Sequence, residues 1–296
     1  MPKSVIEQFL GYLRYERNRS EQTVARYEMS LRDFEAYFLS LDSGLEWASV
    51  DADVIRGWME SLMDRGNKAS TVNTALSALR SFYRFALARQ LVERDPAHSI
   101  TGPKKDKPLP QFMREDEMDC LLDREEWGDD YKDVRARTIL VLLYEAGLRR
   151  AELTGLNDGD VDFEAGHLKV TGKRNKQRMV PFGEELAEQL QHYMQVRNKE
   201  TGCSGGALFI DKQGQRMTGQ QVYQIVKSNL SRVTTMKKRS PHVLRHSYAT
   251  ALLNHGAGLE SVRQLLGHES LETTEIYTHT TFEQLKRVYK DAHPRG

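Results

Sequence analysis

The sequence predicts a mainly α-helical protein of two domains, the second of which contains a small antiparallel β-sheet. Apolar residues recur at the helical period through most of the first hundred residues. A stretch rich in proline and lysine then interrupts regular structure, and three short strand-like runs follow between residues 161 and 181. At 296 residues, the chain is long enough for two domains that each bury a core.

The composition excludes several classes of protein. Two cysteines, Cys120 and Cys203, cannot form a disulfide framework, which fits a reducing compartment. The longest apolar run, Ile139 to Leu143, is far shorter than the ~20 residues that a membrane helix needs. The first twenty residues carry charges throughout and predict an amphipathic helix, not a signal peptide. We therefore expect a cytoplasmic protein with no membrane partner.

The first hundred residues predict an all-helical domain, which we place at residues 1–103. Two of its helices are predicted from Val54 to Met63 and from Thr71 to Gln90, with Ser70 as the N-cap of the second. The apolar stripes behind this prediction are formed by Ile6, Phe9, Leu10 and Leu13, by Val24, Tyr27, Leu31, Phe34 and Phe38, and by Leu76, Leu79, Tyr83 and Leu87.

Residues 104–110 are predicted to form a basic, proline-rich linker between the two domains. From Gly102 to Pro110 the chain holds three prolines and three lysines, a composition that favours a stiff, extended conformation. Such a segment can be a simple surface loop. A linker that crosses a phosphate backbone explains both residue types, and we favour that interpretation.

Residues 111–296 predict a mostly helical second domain. The segment from Thr138 to Ala146 is apolar on all sides, which predicts a helix buried in a core. Three strands, at Val161–Phe163, Leu168–Thr171 and Arg178–Pro181, are predicted to form the small antiparallel sheet. Helices are predicted again at Leu186–Val196, Gln220–Leu230, Pro241–His255 and Leu259–Leu266.

The net charge of +1 hides a strong asymmetry along the chain. Residues 111–164 hold 7 Lys and Arg against 16 Asp and Glu, whereas residues 165–296 hold 20 against 11. Five of the ten residues from 169 to 178 are basic and none is acidic. Such a distribution is typical of a face built for a polyanion, although a solvated basic surface would give the same counts.

The segment from Ser240 to Arg245 predicts a helix start that binds an anion. Serine at the N-cap and proline at the first helical position favour a helix start, and His242 and Arg245 then lie three residues apart on one face. The positive end of the helix dipole and a guanidinium fork together favour a phosphate. A zinc site at His242 and His246 is the alternative, but no third ligand is evident.

Two residues further along the chain are candidates for the same site. His268 follows Gly267, a common helix stop, and Tyr277 lies nine positions later. Taken alone, His268 would more often be a solvated loop residue and Tyr277 a core aromatic. Their position after the helix start at Ser240 favours a shared function.

Two basic residues upstream complete the set. Arg149 follows the buried helix through Gly147, and Glu152 lies three residues later, where it could orient the guanidinium or form a surface pair. Lys173 lies at the tip of the predicted hairpin, from which a long side chain can reach into a groove. Most lysines at hairpin tips are simply solvated, and Lys173 alone would be interpreted in the same way. It becomes a candidate site residue only because the other candidates are present.

These residue types suit the attack of a phenol on a phosphodiester. Two fixed arginines would stabilise charge on the nonbridging oxygens, and a lysine of lowered pKa can protonate the departing 5′-hydroxyl. Histidines can hydrogen-bond the phosphate and move protons. The product, a phosphotyrosine ester, stores the bond energy for the reverse reaction. We therefore expect DNA to be cut and rejoined without a metal ion, ATP or another cofactor.

The sequence resembles the tyrosine recombinase (lambda-integrase-like) family and, within it, the Xer recombinases of bacteria. The resemblance covers nearly the whole chain and includes the closing His293-Pro294-Arg295. Its specific motifs are GLRRAEL at 147–153, TGKRNKQRMVP at 171–181, SPHVLRHSYAT at 240–250 and LLGHESLETTEIYTH at 265–279.

The resemblance implies a catalytic set and its roles. The implied residues are Arg149, Lys173, His242, Arg245, His268 and Tyr277. The tyrosine would be the nucleophile that forms a 3′-phosphotyrosyl intermediate, and the two arginines would clamp the phosphate. The lysine would be the general acid, and the histidines would give hydrogen bonds and acid–base support.

The resemblance also implies domain roles and partners. Residues 1–103 would be a core-binding domain that closes a C-shaped clamp around DNA, and residues 111–296 the catalytic domain. The partners would be a double-stranded recombination site, three more recombinase subunits in a homotetramer or in a heterotetramer with a second recombinase on two DNA sites, and a septum-linked DNA translocase. The reaction would pass through a Holliday junction and resolve chromosome or plasmid dimers at cell division.

The chain departs from the family pattern at two positions and ends in an apolar stripe. Arg150 stands where relatives usually carry an apolar residue, and Arg174 stands where a glycine is usual. The stripe comprises Phe282, Leu285, Val288 and Tyr289 on a predicted helix. We expect its own domain to cover little of this helix. We therefore predict that this helix docks into a neighbouring protomer, as in relatives.

Other functions remain alternatives or are excluded. A mobile-element integrase or resolvase can share the same layout, and a non-catalytic DNA-binding protein could keep the fold. A cysteine phosphatase needs an arginine six positions after its cysteine, where this chain has Glu126 and Phe209. That class is excluded.

Overall fold

The computed structural model describes residues 4–105, 111–123, 127–172, 175–203, 205–267 and 279–294, with side chains of the last range given from Leu285 onward. The chain divides into two compact units, residues 1–108 and 109–296. Helices dominate both, and one three-stranded antiparallel sheet lies in the second, which confirms the predicted fold class. In the described ranges, no helix is both long and apolar enough to cross a membrane.

The first unit is a helical bundle around an aromatic core. Its helices are α1 (Val5–Gly11), which continues into a π-helical turn (Tyr12–Glu16), α2 (Glu21–Leu41), α3 (Ala52–Asp64) and α4 (Ala69–Ala88). Phe34 contacts Trp58 with ring centroids 5.0 Å apart, and Phe9 meets Phe82 edge-on at 5.6 Å. These rings are fully buried, so aromatic packing supplies much of the apolar burial that holds the unit together.

The predicted N-cap of α4 is wrong by two residues. The cap is Lys68, whose backbone is extended, and Ser70 lies within the first turn of the helix. The preceding turn sets this start, because the backbone N–H of Asn67 donates to the carbonyl of Leu62 and the side-chain amide of Asn67 donates to the same oxygen. Lys68 is then the last extended residue before the helix.

The second unit combines helices with one small sheet. Its helices are α5 (Glu115–Leu122), α6 (Tyr131–Glu145), α7 (Arg150–Gly155), α8 (Glu184–Thr201), α9 (Gly219–Val233), α10 (Pro241–Asn254), α11 (Leu259–Leu266) and α12 (His279–Ala292), with a 3₁₀ turn at Asp158–Asp160. The strands are β1 (Val161–Asp162), β2 (His167–Thr171) and β3 (Gln177–Pro181), paired in the order β1-β2-β3. The register sets Val170 opposite Arg178.

The buried helix α6 is the centre of the second unit. It packs against α8, α9 and α10, and residues 138–145 on it are 2% exposed or less. The helix begins at Tyr131, seven residues before the predicted start. The prediction missed this part because Arg135 and Arg137 interrupt the apolar pattern of the sequence. Both arginines are buried, and they donate to the carbonyls of Ile210 and Leu122 respectively.

Helix α12 packs on its own unit in the single chain. Leu285 and Tyr289 are 3% and 2% exposed, in one cluster with Tyr248 and Leu252 of α10 and with residues of α11. The Nζ of Lys286 also donates to the carbonyl of Ala165 at 3.1 Å. Contrary to expectation, these two stripe residues are covered by their own domain. Docking into a neighbouring protomer stays a prediction, and it requires this helix to leave its position.

Candidate active site

Glu152 lies at the centre of the candidate site. It occupies the first turn of α7, where the backbone N–H of Arg149 donates to its Oε2 at 2.8 Å. The guanidinium of Arg149 donates to Oε1 of the same carboxylate at 2.7 Å. The Glu152 side chain is 3% exposed, whereas that of Arg149 is 30% exposed. Glu152 therefore orients Arg149 from the buried side and leaves part of that side chain accessible to a ligand.

Arg245 of α10 approaches the same carboxylate. Its Nη1 lies 3.9 Å from Oε2 of Glu152 and donates to the carbonyl of Gly147 at 2.6 Å. The side chain is 8% exposed. Arg149 and Arg245 thus share one buried carboxylate in the folded chain. These are the two arginines that are expected from the sequence to clamp the phosphate together.

Arg178 joins the sheet to this cluster. Its Nη1 and Nη2 donate to Oε1 and Oε2 of Glu152, both at 2.9 Å, and its side chain is 7% exposed. Two parallel bonds of this kind fix the relative orientation of the two groups. From the sequence alone, Arg178 is one of the basic residues between 169 and 178 and the first residue of a predicted strand, with no role in the site. The signal that could have found it is strand alternation, because Arg178 shares the buried phase of β3 with Val180.

The end of α11 accepts hydrogen bonds from all three arginines. The acceptors are the carbonyls of Leu265, Leu266 and Gly267, and the donors are Arg178 Nε at 3.2 Å, Arg245 Nη2 at 2.5 Å and Arg149 Nη2 at 3.2 Å. The last carbonyls of a helix lack partners within the helix and lie at its negative end, so cations are favoured there. The helix end therefore fixes three guanidinium groups around Glu152.

Two glycines permit this geometry. Gly267 ends α11 with φ +62°, and a Cβ there would lie 3.1 Å from Cδ of Arg178. Gly147 has φ +56°, and a Cβ there would lie only 2.4 Å from Cδ1 of Tyr248. Both positions combine a left-handed backbone with close approach of a side chain, so glycine is required. The predicted helix stop at Gly267 is confirmed.

The cluster holds an excess of positive charge. Burial raises the pKa of Glu152, but the hydrogen bonds and charges of Arg178 and Arg149 outweigh burial and lower that pKa to about 2. Burial and the charge of Arg149 lower the pKa of Arg245 to about 10. Glu152 and Arg245 are therefore both ionised at neutral pH. Three guanidinium groups against one carboxylate create an environment that favours an anion.

His242 lies at the start of α10, one turn before His246. The helix begins at Pro241 with Ser240 as its N-cap residue, which confirms the predicted start, although the serine side chain makes no capping hydrogen bond. His242 is exposed to solvent, but partial desolvation of its ring, followed by the charges of His246 and Lys238, lowers its pKa. His242 is thus held towards the neutral form in the absence of an anion.

Three of the six predicted site residues are in the described part of the chain. Arg149 and Arg245 come together on Glu152, and His242 precedes Arg245 by one helical turn. The other three, Lys173, His268 and Tyr277, lie outside the described residues. Glu152, for which the sequence left two interpretations open, is a buried partner of the arginines and not a surface pair. In the described ranges, no group of three or more His, Cys, Asp or Glu side chains could hold a metal ion.

Family patterns match both units of the chain. Residues 111–284 match the phage integrase family, and residues 6–90 match the N-terminal SAM-like domain of phage integrases. These matches span more than half of the chain and cover every residue of the arginine–glutamate cluster.

Curated relatives match over almost their full length. The chain is 37% identical to the tyrosine recombinase XerC of Chlorobaculum tepidum, over 98% of this chain and 94% of the relative. It is 35% identical to the tyrosine recombinase XerD of Oceanobacillus iheyensis, over 100% of both chains. It is 38% identical to the tyrosine recombinase XerC of Vibrio vulnificus, over 98% and 91%.

Solved structures share the fold at lower identity. The XerH site-specific recombinase bound to palindromic difH substrate, a post-cleavage complex, aligns with a TM-score of 0.72 and 22% identity, over 95% of this chain and 83% of that one. The Tn1549 transposon integrase in complex with transposon right end DNA aligns with a TM-score of 0.71 and 20% identity, over 96% and 99%. The family matches and the relatives above 30% identity decide the classification. The chain therefore belongs to the phage integrase family, as a site-specific tyrosine recombinase that exchanges DNA strands.

Proposed function

We propose that Arg149 and Arg245 clamp the scissile phosphate of a double-stranded recombination site and that Tyr277 attacks it. The observation that carries this proposal is the convergence of both arginines on the buried carboxylate of Glu152. The excess positive charge there suits the charge that develops on the nonbridging oxygens as the phosphorus is attacked. Because the arginines are already held by Glu152 and by the end of α11, little reorganisation accompanies the reaction.

The proposed reaction is a transesterification. The phenolic oxygen of Tyr277 forms a bond to phosphorus, the bond from phosphorus to the 5′-oxygen breaks, and a 3′-phosphotyrosyl ester results. Lys173 gives a proton to the departing 5′-hydroxyl, and His242 and His268 supply hydrogen bonds and accept or return protons. Attack by the 5′-hydroxyl of another strand reverses these steps. Two such exchanges, with a Holliday junction between them, recombine two sites without a metal ion or ATP.

The proposed assembly is a tetramer on two DNA sites, built from this chain alone or with a second recombinase. Residues 1–103 bind the site as a core-binding domain, residues 104–110 link the two domains, and residues 111–296 catalyse. In this assembly, α12 docks into the neighbouring protomer. We propose that the assembly resolves chromosome or plasmid dimers in the cytoplasm at cell division, with a septum-linked DNA translocase as partner. The identity of 37% to an XerC relative and 35% to an XerD relative, over almost the whole chain, favours an Xer-like role over that of a mobile-element integrase.

A nicked suicide substrate tests the proposed chemistry. The DNA site is first selected from a randomised library by binding, and the substrate loses a short fragment on cleavage so that religation fails. Wild-type protein should form a covalent adduct on a denaturing gel, with or without chelator. Tyr277→Phe should bind the DNA equally well and form no adduct. A persistent adduct in that variant would reassign the nucleophile, and binding without any wild-type adduct would favour a non-catalytic DNA-binding protein.

A further inference from the structure

Arg150 is an exposed cation beside the arginine–glutamate cluster, without a hydrogen-bond or ion-pair partner among the described residues. It is the first residue of α7 and directly follows Arg149. Its side chain is exposed, and it makes no hydrogen bond or ion pair with any residue that the structure describes. Its Nε and Cζ lie 3.0 and 3.4 Å from the position that a Cβ at Gly219 would take. The side chain therefore rests against the start of α9, and glycine at that position leaves room for it.

A second exposed cation, Lys238, acts on the same histidine as Arg150. Lys238 is exposed just before α10 and, within the described residues, also has no acidic partner. The charges of Lys238 and Arg150 both contribute to the lowered pKa of His242, after burial and His246. The nearby carboxylate of Glu152 already accepts from Arg149 and Arg178. The surface next to Arg149 and Arg245 thus carries positive charge that no acidic residue in the described part of the chain pairs with.

We propose that Arg150 binds the DNA backbone phosphate adjacent to the scissile phosphate. This inference rests on the proposed function, because it takes Arg149 as a ligand of the scissile phosphate. The Cα atoms of consecutive residues are about 3.8 Å apart, and two long arginine side chains that leave adjacent residues in different directions can reach two neighbouring phosphates of one strand. The Arg149 side chain turns inward to Glu152 while the Arg150 side chain stays on the surface, so each can serve one of two neighbouring phosphates.

The contact would set the position of the strand and would not read its sequence. Backbone phosphate contacts fix the register of a protein on DNA, whereas base contacts specify the sequence. A guanidinium held against α9 can fix a neighbouring phosphate more rigidly than a freely moving side chain, because less conformational freedom is lost on binding. Arg150 would thereby help to position the scissile phosphate next to Arg149 and Arg245.

Substitution combined with chemically modified DNA tests this contact directly. The probes are the selected site and two versions of it in which the phosphate on either side of the scissile one is a neutral methylphosphonate. For Arg150→Ala, we expect weaker binding to natural DNA and a slope of log affinity against log salt that is smaller by about 1. Arg150→Lys should restore much of the slope. Lys132→Ala, which removes an exposed cation from an acidic part of α6, serves as the matched control.

The methylphosphonate DNA separates this inference from the proposed function. One of the two modified sites should weaken binding of the wild type and leave Arg150→Ala unaffected, because that variant has already lost the contact. Equal losses for both proteins at both positions, or a salt slope unchanged in Arg150→Ala, would overturn the contact even while wild-type protein still forms the covalent adduct. Absence of the adduct in the wild type would instead count against the proposed chemistry.

Discussion

Arg178 holds both carboxylate oxygens of Glu152 at 2.9 Å, and this pair connects the β-sheet to the helix that follows Arg149. Arg178 does not need to touch DNA to matter for the reaction. It keeps Glu152 ionised and in place, and Glu152 in turn orients Arg149 and lies 3.9 Å from Arg245. The positions of Arg149 and Arg245 therefore depend on Arg178 of β3, which the sequence alone did not single out.

We predict that Arg178→Gln slows covalent adduct formation and destabilises the catalytic unit. Breaking a buried ion pair by removing one partner costs about 3–5 kcal/mol, so the unfolding temperature should fall clearly. The double variant Glu152→Gln, Arg178→Gln should lose further stability, because it leaves the buried guanidinium of Arg245 without the carboxylate beside it. Thermal unfolding and single-turnover cleavage measure the two effects.

Arg197 supplies the control for that experiment. It forms a buried pair with Asp158 at 2.7 Å, and its side chain is 1% exposed, but it makes no contact with Glu152. Arg197→Gln should lower stability while the cleavage rate of folded protein stays near that of the wild type. Equal cleavage defects in the Arg178 and Arg197 variants would show that Arg178 acts only through stability.

Arg149→Lys should reduce cleavage far more than binding. Lysine keeps the charge but cannot reproduce the planar fork that contacts Glu152, the carbonyl of Gly267 and a phosphate together. We expect adduct formation to slow by about 100-fold or more, the effect of losing one donor to transition-state charge. DNA affinity should change only several-fold. The opposite pattern, with weak binding and a normal cleavage rate, would assign Arg149 to binding alone.

His242 should gain a proton when DNA binds. In the free protein, partial desolvation and neighbouring cations hold its pKa below the ordinary value of about 6.5. A phosphate placed beside Arg245 adds negative charge and should raise that pKa. Affinity should then fall as pH rises from the free to the bound pKa, because the bound state holds more protons in that window. NMR titration of the His242 ring in Tyr277→Phe protein, with and without DNA, measures the shift, and an unchanged pKa would place the phosphate elsewhere.

Local patterns predicted much of the fold, because their causes lie within a few residues. The start of α10 at Pro241 follows from serine and proline at adjacent positions, and the end of α11 follows from Gly267. The early part of α6 was missed because Arg135 and Arg137 look like surface residues in the sequence. In the folded chain both are buried and donate hydrogen bonds to carbonyls outside the helix. The role of Arg178 depends likewise on contacts with Glu152 and Leu265 that only the folded chain creates.

A cross-linking experiment tests whether α12 changes partners. In the single chain, Nζ of Lys286 donates to the carbonyl of Ala165. Lys286→Cys and Ala165→Cys, in a chain with Cys120 and Cys203 replaced by serine, should be joined within one chain by a short bismaleimide in free protein. On DNA carrying two sites, the same reagent should join different chains, visible as dimers and larger species on a denaturing gel. Only intrachain products in both states would contradict docking into a neighbouring protomer.

The most direct measurement is a structure of the Tyr277→Phe protein bound to its selected DNA site as an assembled complex. We predict that one phosphate accepts hydrogen bonds from both Arg149 and Arg245 and that the ring of residue 277 points at the same phosphorus from the side opposite the 5′-oxygen. A complex in which the two guanidinium groups contact different phosphates, or in which residue 277 lies out of reach of the phosphate they hold, would contradict it.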